Sequence, residues 1–223
     1  MKLALIATYP PRECGIGTFS INLFNSMMVK NGNGELKDEG FVVALNDNDL
    51  TYEYPKEVKQ TIRQEYQEDY LKAVKYINLS GADICILEHE FGIYGGQNGV
   101  YILPLLYRLE IPIVVTLHTI LETPSYNEKI VLQQICKMAC KIVVMSHKAI
   151  EFLTGIYQVP KEKIVFIEHG VPDIHFDSEK VKKEIKLYEK KVLLTFGFIG
   201  RNKGIETVIK ALLRVIEKHP EVI

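Results

Sequence analysis

Seven short apolar runs, at residues 2–8, 41–45, 83–88, 112–117, 141–145, 163–168 and 191–196, alternate with longer amphipathic stretches, and this alternation constrains the fold more than any other feature. Runs that are apolar on both faces suit strands buried from both sides, which is the situation in a parallel sheet covered by helices. The intervening stretches predict helices over 17–30, 64–80, 98–109, 125–140, 146–156 and 203–218. Gly32 and Gly34 after the first, Gly81 after the second and Ser146 before the fifth supply end signals. The polar segment Asn46–Thr51 reads as a loop. The sum is a doubly wound α/β, Rossmann-like fold.

Bulk properties exclude several alternatives. The 223 residues are 47% hydrophobic and 25% charged with a net charge of −1, so no excess of cations points to nucleic acid. No apolar run reaches the roughly 18 residues of a membrane helix, and the start is too short in apolar residues for a secretory signal. A cytoplasmic protein is expected. Cys14, Cys85, Cys136 and Cys140 form neither a zinc spacing nor a disulfide framework; Cys136 and Cys140 read as small hydrophobes on one helix face.

The charge run from Asp177 to Glu184 separates two strand-bearing regions. This gives a first domain over 1–177, a charged linker over 178–190 and, over 191–223, the opening strand and helix of a second domain. A segment of roughly 33 residues cannot bury a core of its own, so the second domain reads as cut short.

Chemistry-bearing residues gather in loops that follow strands. Gly15 and Gly17 lie between the first strand and first helix, where bare N–H groups and the positive end of the helix dipole suit a phosphate. A dinucleotide fingerprint is disfavoured: Ser20 stands where its third glycine belongs, and the nearest acid beyond the second strand, Asp47, is too distant. The third run ends in Glu88-His89-Glu90, followed by Gly95 and Gly96, which read as substrate-binding. Consecutive side chains on a strand point to opposite faces, so these three do not converge on one metal ion. His118 ends the fourth central run at the same sheet edge, and Arg201 and Lys203 bring two cations to a glycine-bearing loop before the last helix, a pattern suited to a diphosphate. A sugar-nucleotide epimerase needs a Tyr-x-x-x-Lys pair for proton transfer, and Tyr70 on the second predicted helix is followed at that position by Val74.

In order and spacing, the Gly15-Ile16-Gly17 loop, Thr116-Leu117-His118-Thr119, Ile142–Ser146, Val165–Val171 and Lys203-Gly204 resemble glycosyltransferase family 4, retaining enzymes with the two-domain GT-B fold. The resemblance spans nearly the whole chain. It implies transfer of a hexosyl unit, such as mannose or glucose, from a nucleotide-diphosphate sugar to a saccharide or lipid-linked saccharide, as in polysaccharide biosynthesis. Neither metal nor another cofactor is implied, and peripheral membrane contact is compatible with a lipid-linked acceptor. It implies that Gly15 and Gly17 lie beside the donor phosphate, that His118 contacts the donor sugar and that Lys203 holds the diphosphate. The family's usual arginine position is Phe198 here, so Arg201 is assigned that role, and His169 replaces the usual asparagine. The family's paired glutamates fall beyond residue 223, which implies an isolated chain with little or no activity. A non-catalytic saccharide-binding domain is the alternative.

Overall fold

In a computed structural model of the chain, the described residues are 1–28, 38–47, 50–171, 175–197, 200 and 203–223. They divide into two compact units, Met1–His169 and Gly170–Ile223. No described helix is long and apolar enough to cross a membrane.

The first unit is built on β1 (Lys2–Ala7), whose side chains from Leu3 onward are buried on both faces. The other strands are β2 (Glu39–Asn46), β3 (Val58–Arg63), β4 (Ile84–His89), β5 (Ile113–Leu117), β6 (Lys141–Val144) and β7 (Ile164–Phe166). All pairings are parallel, in the spatial order β3-β2-β1-β4-β5-β6-β7. The doubly wound, Rossmann-like α/β fold expected from the alternation is therefore the fold found. Its order reverses direction between β1 and β4, and the loops leaving the carboxyl ends of such a pair diverge to open a crevice.

Five helices connect the strands: α1 (Gly15–Met27), α2 (Gln67–Leu79), α3 (Ile102–Leu106), α4 (Tyr126–Met138) and α5 (His147–Gly155). One apolar cluster joins Leu3, Leu5 and Ala7 of β1 and Val42 and Ala44 of β2 to Phe24 of α1. The larger cluster unites the opposite sheet face with Tyr70, Ala73 and Ile77 of α2, Leu105 of α3, Leu132 and Ile135 of α4 and Leu153 of α5. Helix α4 starts at a capping box, in which the Ser125 hydroxyl accepts from the Glu128 amide and the Glu128 carboxylate accepts from the Ser125 amide. Lys163 donates to the carbonyls of Cys136, Lys137 and Ala139, satisfying groups that the end of α4 leaves unpaired.

Five expectations change. Strand β3 was not anticipated: it is an edge strand whose polar face is solvated, and Ile62 is its one buried residue. The helix expected over 98–109 is confined to α3, because Asn98 and Gly99 have positive φ just before it. Within the stretch expected as a linker, residues 178–184 form a helix, α6 (Ser178–Glu184), whose first amides are capped by the Asp177 carboxylate. Run 191–196 contributes a single bridge, Lys191 to Val222, instead of a strand. Leu194 and Phe196 are exposed, since no sheet lies beside them among the described residues. The remaining helix of this second unit is α7 (Ile205–Lys218). Cys140 is exposed and lies beyond the end of α4, so it does not share a helix face with the buried Cys136.

These differences in burial set a test. Leu5→Ala removes a fully buried side chain and is expected to lower unfolding free energy in urea by about 2–5 kcal/mol. Leu194→Ala, at an exposed position, is expected to change it by less than about 0.5 kcal/mol; a large loss there would instead reveal a buried strand.

Candidate active site at the β1–β4 crevice

The loop after β1 is pinned before it reaches α1. The Arg12 guanidinium donates to the Leu45 carbonyl at 3.0 Å and pairs with Asp47 at 2.7 Å, tying this loop to the end of β2. Asp47 also accepts from the Tyr52 hydroxyl at 2.8 Å. Helix α1 then opens at Gly15, with no side chain capping its first amides and no acid in its first turn. Those amides and the dipole end form a site for an anion.

The two glycines serve different needs. A Cβ on Gly17 would lie 3.3 Å from the Arg12 carbonyl, so the loop packs closely against it. A Cβ on Gly15 would meet nothing within 4 Å, and its φ is not in the left-handed region. Neither packing nor backbone conformation requires glycine at position 15; an unobstructed approach to the helix terminus is what the missing side chain provides.

Across the crevice, Glu88 and Thr116 are register partners on adjacent strands β4 and β5, and His118 follows two residues after Thr116. Glu88 is completely buried. Its carboxylate accepts from the Thr116 hydroxyl at 3.2 Å and lies 2.8 Å from His118 Nε2. The His118 ring meets Phe19 of α1 edge-on at 4.9 Å between centroids, and Phe19 meets His169 in the same manner at 5.2 Å. Glu90, next to the pair, accepts from the Phe91 amide and from the Thr119 hydroxyl.

His89 faces the opposite way. It is completely buried, stacked on Tyr94 and edge-on to Phe91, and neither ring nitrogen has a hydrogen-bond partner. Burial, with a smaller contribution from His118, pushes its pKa down to about 3. The structure thus removes His89 from the set of groups that could touch a substrate and makes it a neutral core residue.

Gly95 and Gly96 also turn inward to folding. The Gly95 amide donates to the Tyr70 hydroxyl at 3.0 Å, and a Cβ there would sit 1.9 Å from the Gln64 carbonyl oxygen. Gly96 has a φ of 74° and donates to Glu65 at 3.0 Å. Steric exclusion and positive φ account for both glycines. Lys203 belongs to the second unit, exposed just before Gly204, whose φ of 66° sets the start of α7. Arg201 lies outside the described residues.

Sequence reasoning singled out Gly15, Gly17 and His118, which the structure brings to this edge of the sheet, and did not single out Phe19, Thr116 and Arg12, which pack beside them. Thr116 and His118 share strand parity, a signal present in the sequence; nothing local marks Arg12 as the partner of Asp47. Among the described residues, no three His, Cys, Asp or Glu side chains are grouped to hold a metal ion. Burial pushes the Cys85 and Cys136 thiols up to about 12, which leaves them unreactive at neutral pH. Two Tyr-x-x-x-Lys spacings occur, Tyr52 to Lys56 and Tyr157 to Lys161, and both lie outside α-helices, so neither is a one-turn proton-transfer pair.

The fold is similar to that of solved glycosyltransferases. Anabaena Alr3699/HepE in complex with UDP and glucose superposes with a TM-score of 0.70 at 14% identity, covering 100% of this chain and 59% of that one. A glycosyltransferase from Rickettsia africae ESF-5 gives 0.64 at 16% identity, covering 98% and 62%. An alpha-glucosyltransferase in complex with UDP-glucose and DNA containing an abasic site gives 0.50 at 17% identity, covering 95% and 54%. In sequence, the chain is 27% identical over 89 residues to an uncharacterized glycosyltransferase of Methanocaldococcus jannaschii, a match over 36% of this chain and 23% of that protein. No family model matches. The chain thus spans less than two thirds of the length of each of these proteins.

The buried His89 has a consequence for pH dependence. Its folded pKa lies below the 6.5 of an unfolded histidine, so the unfolded state takes up the proton first as pH falls. Stability is fully present above pH about 6.5 and is lost toward pH about 3, at up to about 1.4 kcal/mol per pH unit. His89→Leu is expected to remove this component and to raise stability at pH 7 by about 1–3 kcal/mol, because no unpaired polar group remains buried. Urea titrations of both proteins across this range check it; parallel pH profiles would contradict it.

Proposed function

We propose that the chain is the acceptor-side part of a glycosyltransferase of the GT-B type, which moves a hexosyl unit from a nucleotide-diphosphate sugar to a saccharide or lipid-linked saccharide. The observation that carries this reading is the pairing, across one crevice, of an open helix terminus at Gly15 with a histidine anchored by a buried carboxylate. The first suits an anionic diphosphate and the second a hydroxylated ring. The glycosyltransferase structures that share the fold, one holding UDP and glucose, support the same reading.

In this mechanism the leaving group is a nucleoside diphosphate whose negative charge grows as the glycosidic bond breaks. Fixed cations and helix amides stabilise that charge without reorganising during the reaction. In this reading Gly15 and Gly17 admit the phosphates to the start of α1 and His118 orients the donor sugar, while the family resemblance assigns the holding of the diphosphate to Arg201 and Lys203. The family resemblance supports retention of anomeric configuration and a reaction that uses no metal. UDP-glucose and GDP-mannose are the leading donors, with a cytoplasmic site of action, peripheral contact with a membrane where the acceptor is lipid-linked, and no role for nucleic acid. The 223 residues alone carry little or no transfer activity, and the full-length gene product carries it.

Thermal and urea unfolding of the chain and of the full-length product, with UDP, GDP, ADP and their sugars and no added metal, test this. One nucleotide at a hundred times its dissociation constant is expected to stabilise the full-length protein by about 2.7 kcal/mol. Gly15→Ala should leave unliganded stability within about 0.5 kcal/mol, since its Cβ meets open space, yet weaken nucleotide binding about tenfold. Lys203→Ala should weaken it comparably. Saccharide binding without turnover would favour a binding domain, and a response to NAD(P) with none to nucleotide sugars would overturn the reading.

A further inference from the structure

We propose that Glu88 is a positioning residue: it fixes the His118 imidazole so that Nδ1, and not Nε2, is the atom offered to the donor sugar. The assignment rests on the transferase reading for its functional consequence, but its geometry stands by itself. Glu88 has no exposed surface, so it cannot touch a ligand as the sequence pattern suggested.

Both carboxylate oxygens are committed. Oε1 accepts from the Thr116 hydroxyl at 3.2 Å, and Oε2 lies 2.8 Å from His118 Nε2. Taken as ionised, the carboxylate is an acceptor only, which puts the proton of this contact on Nε2. That holds for both protonation states of the ring. In the neutral ring Nδ1 carries a lone pair and accepts from a sugar hydroxyl; in the charged ring it donates. The tautomer is thus set from inside the sheet.

Three further contacts make the arrangement rigid. Phe19 meets the His118 ring edge-on at 4.9 Å and limits its rotation from the α1 side. The Tyr94 hydroxyl donates to the Glu88 carbonyl at 2.6 Å, and the His118 amide donates to the His89 carbonyl at 3.0 Å, locking the ends of β4 and β5 together. The neighbouring His89 is neutral and has no hydrogen bond to either group, so it does not compete for the Glu88 carboxylate. A buried carboxylate without such partners would cost several kcal/mol, so Thr116 and His118 are what make a charged group tolerable here.

The test combines a spectroscopic and a kinetic measurement. Long-range proton–nitrogen NMR of the 223-residue chain is expected to show neutral His118 protonated at Nε2. Glu88→Gln, whose amide both donates and accepts, is expected to give a mixture of tautomers. In the full-length protein, Glu88→Gln should lower kcat about 10- to 100-fold while the donor KM stays within about threefold. On a His118→Ala background the same substitution should change kcat by less than about twofold, because Glu88 acts through His118. An unchanged tautomer in Glu88→Gln, or full additivity with His118→Ala, would overturn the proposal. Should Glu88→Gln not fold, Glu88→Asp keeps the charge but withdraws the carboxylate, and the same two readouts apply. If the full-length protein transfers no sugar, the proposed function fails, while the tautomer comparison still decides what Glu88 does to His118.

Discussion

Parallel strands must be covered on both faces, and in this chain that requirement forces the connections to change sides between β1 and β4. Helix α1 packs on one face with Phe24, whereas α2, α3, α4 and α5 pack on the other through residues such as Ile77, Leu105, Ile135 and Leu153. The loops leaving β1 and β4 therefore diverge, and the crevice between them follows from the packing rule. Every functional feature described above depends on this divergence: the open start of α1 comes from one side, and the Glu88–His118 pair from the other.

The crevice joins an element that needs no side chain to one that depends on side chains entirely. Gly15 offers helix amides by leaving its surroundings empty. His118, by contrast, is held by a carboxylate with no solvent contact, a threonine hydroxyl behind that carboxylate and a phenylalanine edge. Desolvation makes these contacts strong and directional, because few competing water molecules reach them. The same desolvation acts oppositely on His89, one residue from Glu88 on the other face, where no partner exists and the ring stays neutral. Strand alternation thus turns adjacent ionisable residues to separate ends.

The central sheet was legible because β1, β2, β4 and β5 carry buried residues on successive positions, a pattern that few other arrangements tolerate. Strand β3 was not, since Lys59, Gln60, Thr61 and Arg63 carry the composition of a loop and its place depends on pairing with β2. Run 191–196 shows the converse, where apolar composition without neighbouring strands does not make a strand. That Gly15, Gly17 and His118 lie at the carboxyl edge of the sheet could be read from their positions after strands. The inward roles of Glu88, His89, Gly95 and Gly96 could not, because a sequence shows that a residue lies at a sheet edge but not which face it takes or what already fills the space beside it.

The central claim is that the crevice between β1 and β4 receives a nucleotide-diphosphate sugar. Amide chemical-shift mapping of the full-length protein during titration with UDP-glucose and GDP-mannose tests this most directly. The account predicts that one donor perturbs the amides of Gly15, Ile16 and Gly17 together with the ring of His118, with little effect at the opposite, amino-terminal edge near Lys2 and Lys75. Perturbations confined to that opposite edge, or none with either donor, would contradict it.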